Sequence, residues 1–560
     1  MGGQKTALRT AFLFAGFLLL LGITITSQYY RSAYSVELKS DATGHFITTL
    51  LAYDYLKNGL PGNPVDYAAD YFIHYPLIRI GNNPPAFYGL SSIWAFIAGP
   101  TVQAALLLSA ILGTLYCFIL LLWLNRLFHL RVAILIAAMT ALLPTYQNVT
   151  ASFLIDIPIG IFGLAAAMSY AAFLQNRTAP GAIWFSIFAV MALMIKLSAL
   201  FLAIMVPLAI IISGKYSLIR NRYFWLPALI IGLLIAPWYL YTFETLTAGA
   251  KTQWTITYPL QALAGYSVII ADNLSLPGAV LLAIGAVDRF LFIRAHPDSE
   301  ISAHWTAVIS LFFCVIIFQM LMPTNILDRY LTAALAPAMM LMLAGAQKAG
   351  GYAAKFLERY PAYPGRLRKR TPEIILAAIA GLIFFNTLQL KPGTSNQMEE
   401  VAKAAYDAMP ASNPTLLIAS DGGLEASFIA HMAQWDQARP SIVNIRGARL
   451  LGKEGGFMNI DYEPKFSSPG EILAELERLS IAMVVLDTAK ASQSWKHNRD
   501  IAWLVENKPE IWRKIDSRTN PNGDGTVTLY ILKSSATKTM DAELLRQTLR
   551  PRSGGFGAAN

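Results

Sequence analysis

The sequence predicts a mainly α-helical protein: a polytopic transmembrane bundle of about eleven helices, with amphipathic helices in the first outer loop and a C-terminal soluble α/β domain. Of the 560 residues, 55% are hydrophobic and only 14% are charged, and the mean hydropathy is +0.46. Apolar stretches of helical length recur as far as Leu390, after which a Lys-Pro-Gly-Thr-Ser-Asn linker introduces a more charged segment. Most of the chain therefore belongs in a bilayer.

The charge balance and the cysteine content exclude several classes of protein. Lysine and arginine number 44 against 34 aspartates and glutamates, which gives a net charge of +10. In so apolar a chain this excess is explained by basic cytoplasmic loops, and we expect no nucleic-acid partner. Cys117 and Cys314 both lie in apolar stretches, so the sequence offers neither a disulfide framework nor a paired-cysteine metal site.

Two of the apolar stretches need interpretation. The first follows Lys5 and Arg9 like a signal peptide, but no small-x-small cleavage site follows it, and we predict a retained span. Lys196 interrupts another stretch, where two short helices are predicted because a single crossing would invert the charge bias of every later loop. The predicted spans are residues 11–27, 103–124, 131–146, 157–174, 182–195, 197–213, 224–243, 267–287, 305–322, 330–346 and 373–391.

The distribution of basic residues predicts the orientation of these spans. Lysine and arginine are concentrated in the loops on the N-terminal side of the membrane. The positive-inside rule then predicts a cytoplasmic N-terminus, and an odd number of crossings places the C-terminal domain outside the cell membrane. We expect a multi-pass protein of a bacterial-type inner (plasma) membrane with an extracytoplasmic domain.

The chain divides into three predicted regions: a transmembrane domain over residues 1–391, an extracytoplasmic α/β domain over 392–535 and a flexible tail over 536–560. Apolar runs in the α/β domain predict strands, and one charged amphipathic run predicts a helix. The strands are Thr415–Ala419, Ile481–Leu486 and Val527–Leu532, and the helix is Glu471–Leu479 with Ser467 or Ser468 as its cap.

The first outer loop, residues 28–102, is richer in polar and aromatic residues than a connector requires. From Asp41 onward, apolar residues at helical spacing predict an amphipathic helix in the membrane interface. Asp41 would lie at its N-terminus, where the helix dipole favours a carboxylate, and His45 would lie on the same face one turn later. A simple N-cap is the alternative role for Asp41.

Three other charged residues lie at predicted span ends. Asp156 stands among apolar residues, where a carboxylate is costly unless it has a partner, although it could also be an N-cap ahead of Pro158. Lys196 and Arg329 could hold an anionic head group such as a phosphate. The alternative is that each cation only extends toward water at the membrane surface.

The loop around residues 73–88 combines rigid prolines with polar side chains, and this composition suits a sugar-binding surface. A packed lid without a ligand would have a similar composition. The candidate contacts are His74, Tyr75, Asn82 and Asn83.

With these residues in this order, the chain resembles the membrane C-type (GT-C) glycosyltransferases, of the protein O-mannosyltransferase and lipid A aminoarabinose transferase kind. The resemblance covers about residues 8–391. It implies an enzyme that moves a sugar from a polyprenyl-phosphate-linked donor to a glycan, lipid or protein acceptor at the extracytoplasmic face. It rests on Asp41, His74–Pro76, Asn82–Pro85, Asp156, Lys196 and the Asp328-Arg-Tyr-Leu sequence.

The resemblance also implies roles for individual residues. Asp41 would be the base or the carboxylate that positions the acceptor, with Asp156 in support. The donor phosphate would be contacted by Lys196, Arg329 and Tyr330. Many relatives have a second acidic residue after the first, whereas Asp41 is followed by Ala42. A divalent metal cofactor held by Asp41, His45 and His74 is left open.

Two other classes of protein remain as alternatives at this stage. A transporter or flippase of lipid-linked saccharides would place ionisable residues at mid-span and would contain paired broken helices. A noncatalytic membrane scaffold would use its outer domain only to bind partners. The clustering of polar residues at one face favours the enzyme.

Overall fold

The computed structural model describes residues 2–38, 40–243, 254–359, 365, 367, 370–395, 397–453, 462–519 and 524–549. The chain forms two compact units. Most of the predicted first outer loop belongs to the same unit as the C-terminal segment. Unit 1 comprises Met1–Arg31, Leu107–Leu240 and Thr252–Pro392, and unit 2 comprises Ser32–Leu106, Tyr241–Lys251 and Gly393–Asn560.

Unit 1 is a bundle of apolar helices, because in hydrocarbon the backbone polar groups of such runs can be satisfied only within helices. Among the described residues, eight helices are long and apolar enough to cross a membrane, or nine if a bent pair counts as one span. Each of the predicted spans coincides with one of these or with a shorter apolar helix, which confirms a mainly helical, multi-pass membrane protein. The helices are Gly2–Tyr30, Val102–Leu127, Leu130–Ala141, Pro144–Thr150, Asp156–Asn176, Ala179–Leu193, Phe201–Ser213, Leu226–Tyr241, Tyr258–Ala295, Glu300–Leu321, Thr332–Leu357 and Thr371–Leu388.

Two interruptions of these helices meet inside unit 1. Leu130–Ala141 and Pro144–Thr150 are bent by 65° at the break between them. Tyr258–Ala295 breaks at Ser275, which adopts a φ of +63°. The Asn273 amide joins the two breaks, since its Oδ1 accepts from the Thr145 backbone N–H at 3.0 Å and its Nδ2 donates to Thr145 Oγ1 at 2.9 Å.

One helix crossing in unit 1 depends on two glycines. Gly285 of Tyr258–Ala295 lies against the carbonyl oxygen of Leu341, and Gly345 of Thr332–Leu357 lies against the carbonyl oxygen of Leu281. A Cβ atom on either glycine would overlap that backbone oxygen. The crossing therefore requires hydrogen at both positions, as close helix pairs in membranes commonly do.

Unit 2 contains a five-stranded sheet in which the strands Val443–Arg446, Thr415–Ala419 and Met483–Asp487 run parallel. Thr526–Leu532 and Trp512–Thr519 continue it antiparallel in that order. The predicted strands and the helix capped by Ser468 are present, with shifts of a few residues at their ends. The helices are Asp41–Lys57, Pro64–His74, Ala86–Ala98, Met398–Asp407, Gly422–Trp435, Gly447–Leu450, Pro469–Arg478, Lys496–Asn507, Lys533–Ala536 and Ala542–Leu549, and a short ribbon pairs Gly452–Lys453 with Glu463–Pro464.

Two expectations about unit 2 were wrong. The helix that begins at Asp41 is not an interfacial amphipathic helix, because Ala42–Leu51 are all buried and Ala86–Ala98 and Gly422–Trp435 pack against it. Part of the predicted flexible tail is ordered, because Ala542–Leu549 forms a helix that buries two leucines in the hydrophobic core of unit 2. Residues 550–560 of that tail lie outside the described residues.

A buried ion pair ties the first outer loop to the C-terminal segment within unit 2. Arg439 Nε donates to Asp54 Oδ2 at 2.9 Å, and the two side chains are 6% and 5% exposed. The Tyr71 hydroxyl also donates to Asp54, at 2.9 Å, and the Tyr75 hydroxyl donates to Asp436. Removal of one partner would leave a buried charge without compensation, which is strongly destabilising.

Two buried histidines predict that acid destabilises unit 2. Burial lowers the pKa of both His431 and His497 to about 4, whereas an unfolded histidine titrates near 6.5. Between these pH values the unfolded chain binds more protons, so stability is complete above about pH 7 and falls by ~3 kcal/mol per histidine as pH approaches 4. We expect the thermal midpoint of the full chain, followed by intrinsic fluorescence in detergent, to fall between pH 7.5 and 5.

The matched control for this pH dependence is the exposed His296. The substitution His296→Gln should leave the slope of midpoint against pH unchanged, whereas His431→Gln with His497→Gln should flatten it. An unchanged slope in the double variant would contradict the assignment, whatever its absolute midpoint.

Candidate active site

Asp156 is the first residue of the helix Asp156–Asn176, and only 6% of its side chain is exposed. Lys196 Nζ donates to Asp156 Oδ1 at 3.0 Å. The second carboxylate oxygen, Oδ2, is buried and accepts no hydrogen bond from any residue that the structure describes. Ile155 occupies the cap position, so the N-cap alternative for Asp156 was wrong. A buried oxygen of this kind is available to a donor group on a bound molecule.

Two cations meet at one aromatic ring beside Asp156. Lys196 lies between the helix Ala179–Leu193 and a short turn, and Arg329 and Tyr330 lie in the turn Asp328–Leu331. Lys196 Nζ is 4.9 Å and Arg329 Cζ is 5.2 Å from the centroid of the Tyr330 ring. Both separations lie within the cation–π range, so the ring offsets part of the repulsion between the cations.

Asp156, Arg329 and Tyr330 line a small cavity in unit 1, and Lys196 is paired with Asp156. The cavity combines one carboxylate and one guanidinium with neutral hydrogen-bonding groups, and Gln319 is among the buried ones. A cavity with few convergent polar groups on apolar walls is the usual form of a small-molecule site. Its lining residues are Asp156, Ile159, Ser198, Phe201, Gln319, Arg329, Tyr330, Thr332 and Ala333.

Asp328 fixes the turn that carries Arg329 and Tyr330. Its Oδ1 accepts the backbone N–H of Arg329 at 2.8 Å, and its Oδ2 accepts the Asn148 amide at 2.9 Å. Asn148 in turn accepts a hydrogen bond from Arg31 at 3.0 Å. The turn is therefore anchored to the helix Pro144–Thr150 and to the end of the first helix, and sequence reasoning did not identify this anchor.

In unit 2, Asp41 is held by an arginine that sequence reasoning missed. Arg79 Nη2 donates to Asp41 Oδ1 at 2.9 Å, with side chains 26% and 23% exposed. Gly44 makes the approach possible, because a Cβ atom there would overlap the Arg79 side chain. Ser40 takes the cap position, so Asp41 is the first helical residue and the N-cap alternative was wrong here too. The available signal was an isolated charge in the apolar Ile78-Arg-Ile sequence.

The other predicted loop residues divide into buried and accessible ones. Tyr75 is fully buried, and His74 is mostly buried with its Nδ1 3.3 Å from the Ile442 carbonyl oxygen, as in the packed-lid alternative. Burial is the main cause that lowers the pKa of His74. Asn82 is exposed and Asn83 is half-buried, so these two remain candidate substrate contacts.

The predicted metal ligands do not form a metal site. His45 is buried and its Nδ1 lies 3.0 Å from the Tyr88 hydroxyl, while Asp41 is paired with Arg79. The described residues contain no group of three or more His, Cys, Asp or Glu side chains that could hold a metal ion. The hypothesis of a metal on Asp41, His45 and His74 was therefore wrong, because each side chain is committed to a different neighbour.

Replacement of Tyr330 tests the shared ring. Tyr330→Leu removes both cation–π contacts, and at ~0.5–1 kcal/mol for each contact the affinity for an anionic ligand should fall by roughly 5- to 30-fold. Tyr330→Phe keeps the aromatic face and should change the affinity for the anionic ligand little. Titration of each purified variant with a polyprenyl phosphate would measure the two affinities. Equal affinity in Tyr330→Leu and the wild type would contradict a role for the ring.

Comparison with known proteins finds one matching family model and several solved structures of similar fold. The model of the family "Dolichyl-phosphate-mannose-protein mannosyltransferase" matches residues 82–241. ArnT from Cupriavidus metallidurans bound to undecaprenyl phosphate superposes with a TM-score of 0.53 at 11% identity, over 96% of this chain and 100% of that chain. The archaeal oligosaccharyltransferase AglB from Archaeoglobus fulgidus, in complex with an inhibitory peptide and a dolichol-phosphate, gives 0.55 at 12% identity, over 93% and 74%.

A search of the curated proteins finds no match. The family match covers the second to seventh predicted spans and includes Asp156 and Lys196, and the structural matches extend over almost the whole chain. The chain is thus a multi-pass membrane protein with the fold of the GT-C glycosyltransferases, as the sequence resemblance predicted.

Proposed function

We propose that this protein is a glycosyltransferase that moves a sugar from a polyprenyl-phosphate-linked donor to an acceptor at the extracytoplasmic face of a bacterial-type inner membrane. The N-terminus would be cytoplasmic. One observation carries the proposal: Asp156 lines one cavity with Arg329 and Tyr330, which are distant from it in the sequence, and Lys196 contacts both Asp156 and the Tyr330 ring.

The cations suit the departing group of this reaction. In the transfer, the acceptor oxygen forms a bond to the anomeric carbon of the sugar, while the bond from that carbon to the donor phosphate breaks. Negative charge then develops on the polyprenyl phosphate that leaves. Lys196 and Arg329 can stabilise that charge, since a preformed cationic site in apolar surroundings needs no reorganisation during the reaction.

Asp156 would have two roles in the site, one for each oxygen of its carboxylate. Its Oδ1 positions Lys196, and its unpartnered Oδ2 can accept a hydroxyl group of the sugar or the acceptor. Asp41 remains our candidate for the base that takes the acceptor proton, with Arg79 as its partner.

Two comparisons support the choice of donor. The structure of ArnT that shares this fold contains undecaprenyl phosphate, and that of AglB contains a dolichol-phosphate. The matching family is described by a dolichyl-phosphate-mannose donor. We infer that the donor of this chain is a sugar on a long isoprenoid phosphate, and that the acceptor is a glycan, lipid or protein.

Incubation of the purified protein with a panel of radiolabelled polyprenyl-phosphate sugars tests the proposal. We expect release of polyprenyl phosphate with at least one donor, and loss of that release in Asp41→Asn and Asp156→Asn. The alternative, a transporter or flippase, predicts that donor crosses proteoliposome membranes without cleavage of its glycosyl bond. Intact donor in every assay would overturn the enzymatic proposal.

A further inference from the structure

The short helix Pro144–Thr150 of unit 1 is held to the first membrane helix by buried hydrogen bonds. Gln28 Nε2 donates to the Thr150 carbonyl oxygen at 2.7 Å, and the hydroxyl oxygens of Thr24 and Tyr146 lie 2.8 Å apart. All four residues are fully buried. Hydrogen bonds away from water are electrostatically strong and hold their members in one arrangement. The short helix is therefore a rigid base for a side chain that extends from it.

One such side chain is Asn148, whose amide uses both of its ends. Its Oδ1 accepts from Arg31 Nη2 at 3.0 Å, and its Nδ2 donates to Asp328 Oδ2 at 2.9 Å. Arg31 is itself held in place, because its Nη1 donates to the Lys391 carbonyl oxygen at 2.8 Å. A side-chain amide has one acceptor end and one donor end, so it can join a guanidinium to a carboxylate. An ionised aspartate or a leucine at position 148 could not make both bonds.

The carboxylate that Asn148 holds belongs to the turn of the candidate site. Asp328 Oδ1 accepts the backbone N–H of Arg329 at 2.8 Å. Arg329 and Tyr330 line the cavity, whereas Asn148 does not. The direct route from Asn148 to the cavity is therefore through Asp328. Small displacements of the groups that position a ligand have large effects, even when their cause lies outside the site.

We propose that Asn148 is a positioning residue, which holds the turn Asp328–Leu331 so that Arg329 and Tyr330 face the cavity. Arg31 keeps the Asn148 amide in the orientation that presents its N–H to the turn. The identity of the ligand, a polyprenyl phosphate, rests on the proposed function. The hydrogen bonds that join the first helix, the short helix and the turn are independent of that function.

An exchange of the two side chains tests the proposal. In Asn148→Asp, two carboxylates face each other at hydrogen-bond distance. In Asp328→Asn, two amides meet between Arg31 and the Arg329 N–H, so hydrogen-bond donors oppose each other whichever way either amide turns. In the combined variant, the amide at position 328 donates to the carboxylate at position 148, which still accepts from Arg31. The amide oxygen at position 328 still accepts the Arg329 N–H, so all three bonds are kept.

Two measurements follow these variants. Hydrogen–deuterium exchange of the peptide that spans the turn, measured in detergent without ligand, should be faster in each single variant and should return toward the wild-type rate in the combined one. Titration with undecaprenyl phosphate should show roughly 10- to 100-fold weaker binding in each single variant, the effect of a lost hydrogen bond to a charged group. The combined variant should bind with near-wild-type affinity.

Asn221→Asp is the matched control. Asn221 is another amide of unit 1 that uses both of its ends, since its Nδ2 donates to the Arg177 carbonyl oxygen at 3.2 Å and its Oδ1 accepts the Tyr223 backbone N–H at 2.8 Å. The same substitution at this position should change neither the exchange of the turn nor the affinity for undecaprenyl phosphate.

Additive losses in the combined variant would overturn the proposal, because separate damage from each substitution would then explain them. Wild-type affinity in single variants whose turn exchanges faster would also overturn it, and would leave the proposed function intact. If the wild type bound no undecaprenyl phosphate while the exchange of side chains restored the turn, the positioning role of Asn148 would be supported and the proposed function would fail.

Discussion

Asp156→Asn is expected to lower kcat for sugar transfer by roughly 10²- to 10⁴-fold, the range that loss of a positioned acid or base group produces. The substitution preserves shape but removes the negative charge that holds Lys196 Nζ at 3.0 Å. It also replaces the one carboxylate that lines the cavity. Lys196 then loses its fixed position in the candidate site, so we expect both substrate binding and the chemical step to weaken. Steady-state kinetics with a polyprenyl-phosphate sugar would measure both parameters.

The control for this prediction is a second aspartate–lysine pair in unit 1. Asp298 Oδ1 lies 3.5 Å from Lys215 Nζ, but the Asp298 side chain is 84% exposed. Asp298→Asn removes the same charge from a solvent-exposed carboxylate, whose ion pair is worth ~0–1 kcal/mol, and should leave kcat unchanged. If Asp156→Asn folded normally and kept more than a tenth of the wild-type kcat, Asp156 would have no catalytic part.

A double-mutant cycle separates positioning from direct contact. If Asp156 only orients Lys196, then Asp156→Asn in a Lys196→Met background should cause little further loss of kcat. If its free Oδ2 also contacts substrate, the double variant should lose substantially more activity than Lys196→Met alone. A thermal midpoint for each variant is needed, since breakage of a buried ion pair is itself destabilising.

Gly345→Ala is expected to have the largest effect on stability. Its Cβ atom would overlap the carbonyl oxygen of Leu281, and a backbone atom of a packed helix cannot move aside as a flexible side chain can. The helices Tyr258–Ala295 and Thr332–Leu357 would have to separate, at ~3 kcal/mol or more. We expect a lower thermal midpoint and aggregated material in fluorescence-detected size-exclusion chromatography.

Gly351 on the same helix is the matched control. A Cβ atom there meets nothing within 4 Å, and Gly351→Ala should stabilise the helix slightly, by up to ~1 kcal/mol. The two substitutions are chemically identical and lie six positions apart. Equal thermal midpoints for the two variants would contradict the close glycine crossing.

Much of unit 1 could be predicted from sequence because its determinants are local. A run of apolar residues specifies a membrane helix by itself, and the isolated charges Asp156, Lys196 and Arg329 indicated a candidate site because hydrocarbon penalises them. The pairing of Asp156 with Lys196 could not be predicted from the sequence in this way. The bond between Lys196 and Asp156 joins helices that pattern analysis treats separately.

Unit 2 shows why other predictions failed. The helix from Asp41 was assigned to the membrane interface because apolar spacing reports burial without identifying what covers the face. The Asp54–Arg439 pair joins residues 385 positions apart, and neither residue has a local pattern that names the other. The pairing of Arg79 with Asp41 was also missed, because no local pattern in the sequence links the two residues. It depends on the space that Gly44 leaves beside the Arg79 side chain.

The distance between Asp54 and Arg439 along the chain has a consequence for biosynthesis. At roughly 5–20 residues per second, translation of the 385 intervening positions takes about 20–80 seconds. Throughout that interval the nascent loop carries Asp54, Tyr71 and Tyr75 without the segment that later covers them. Ribosome-bound intermediates should therefore require a holding chaperone, and a premature stop codon before Arg439 should send the truncated product to proteolysis.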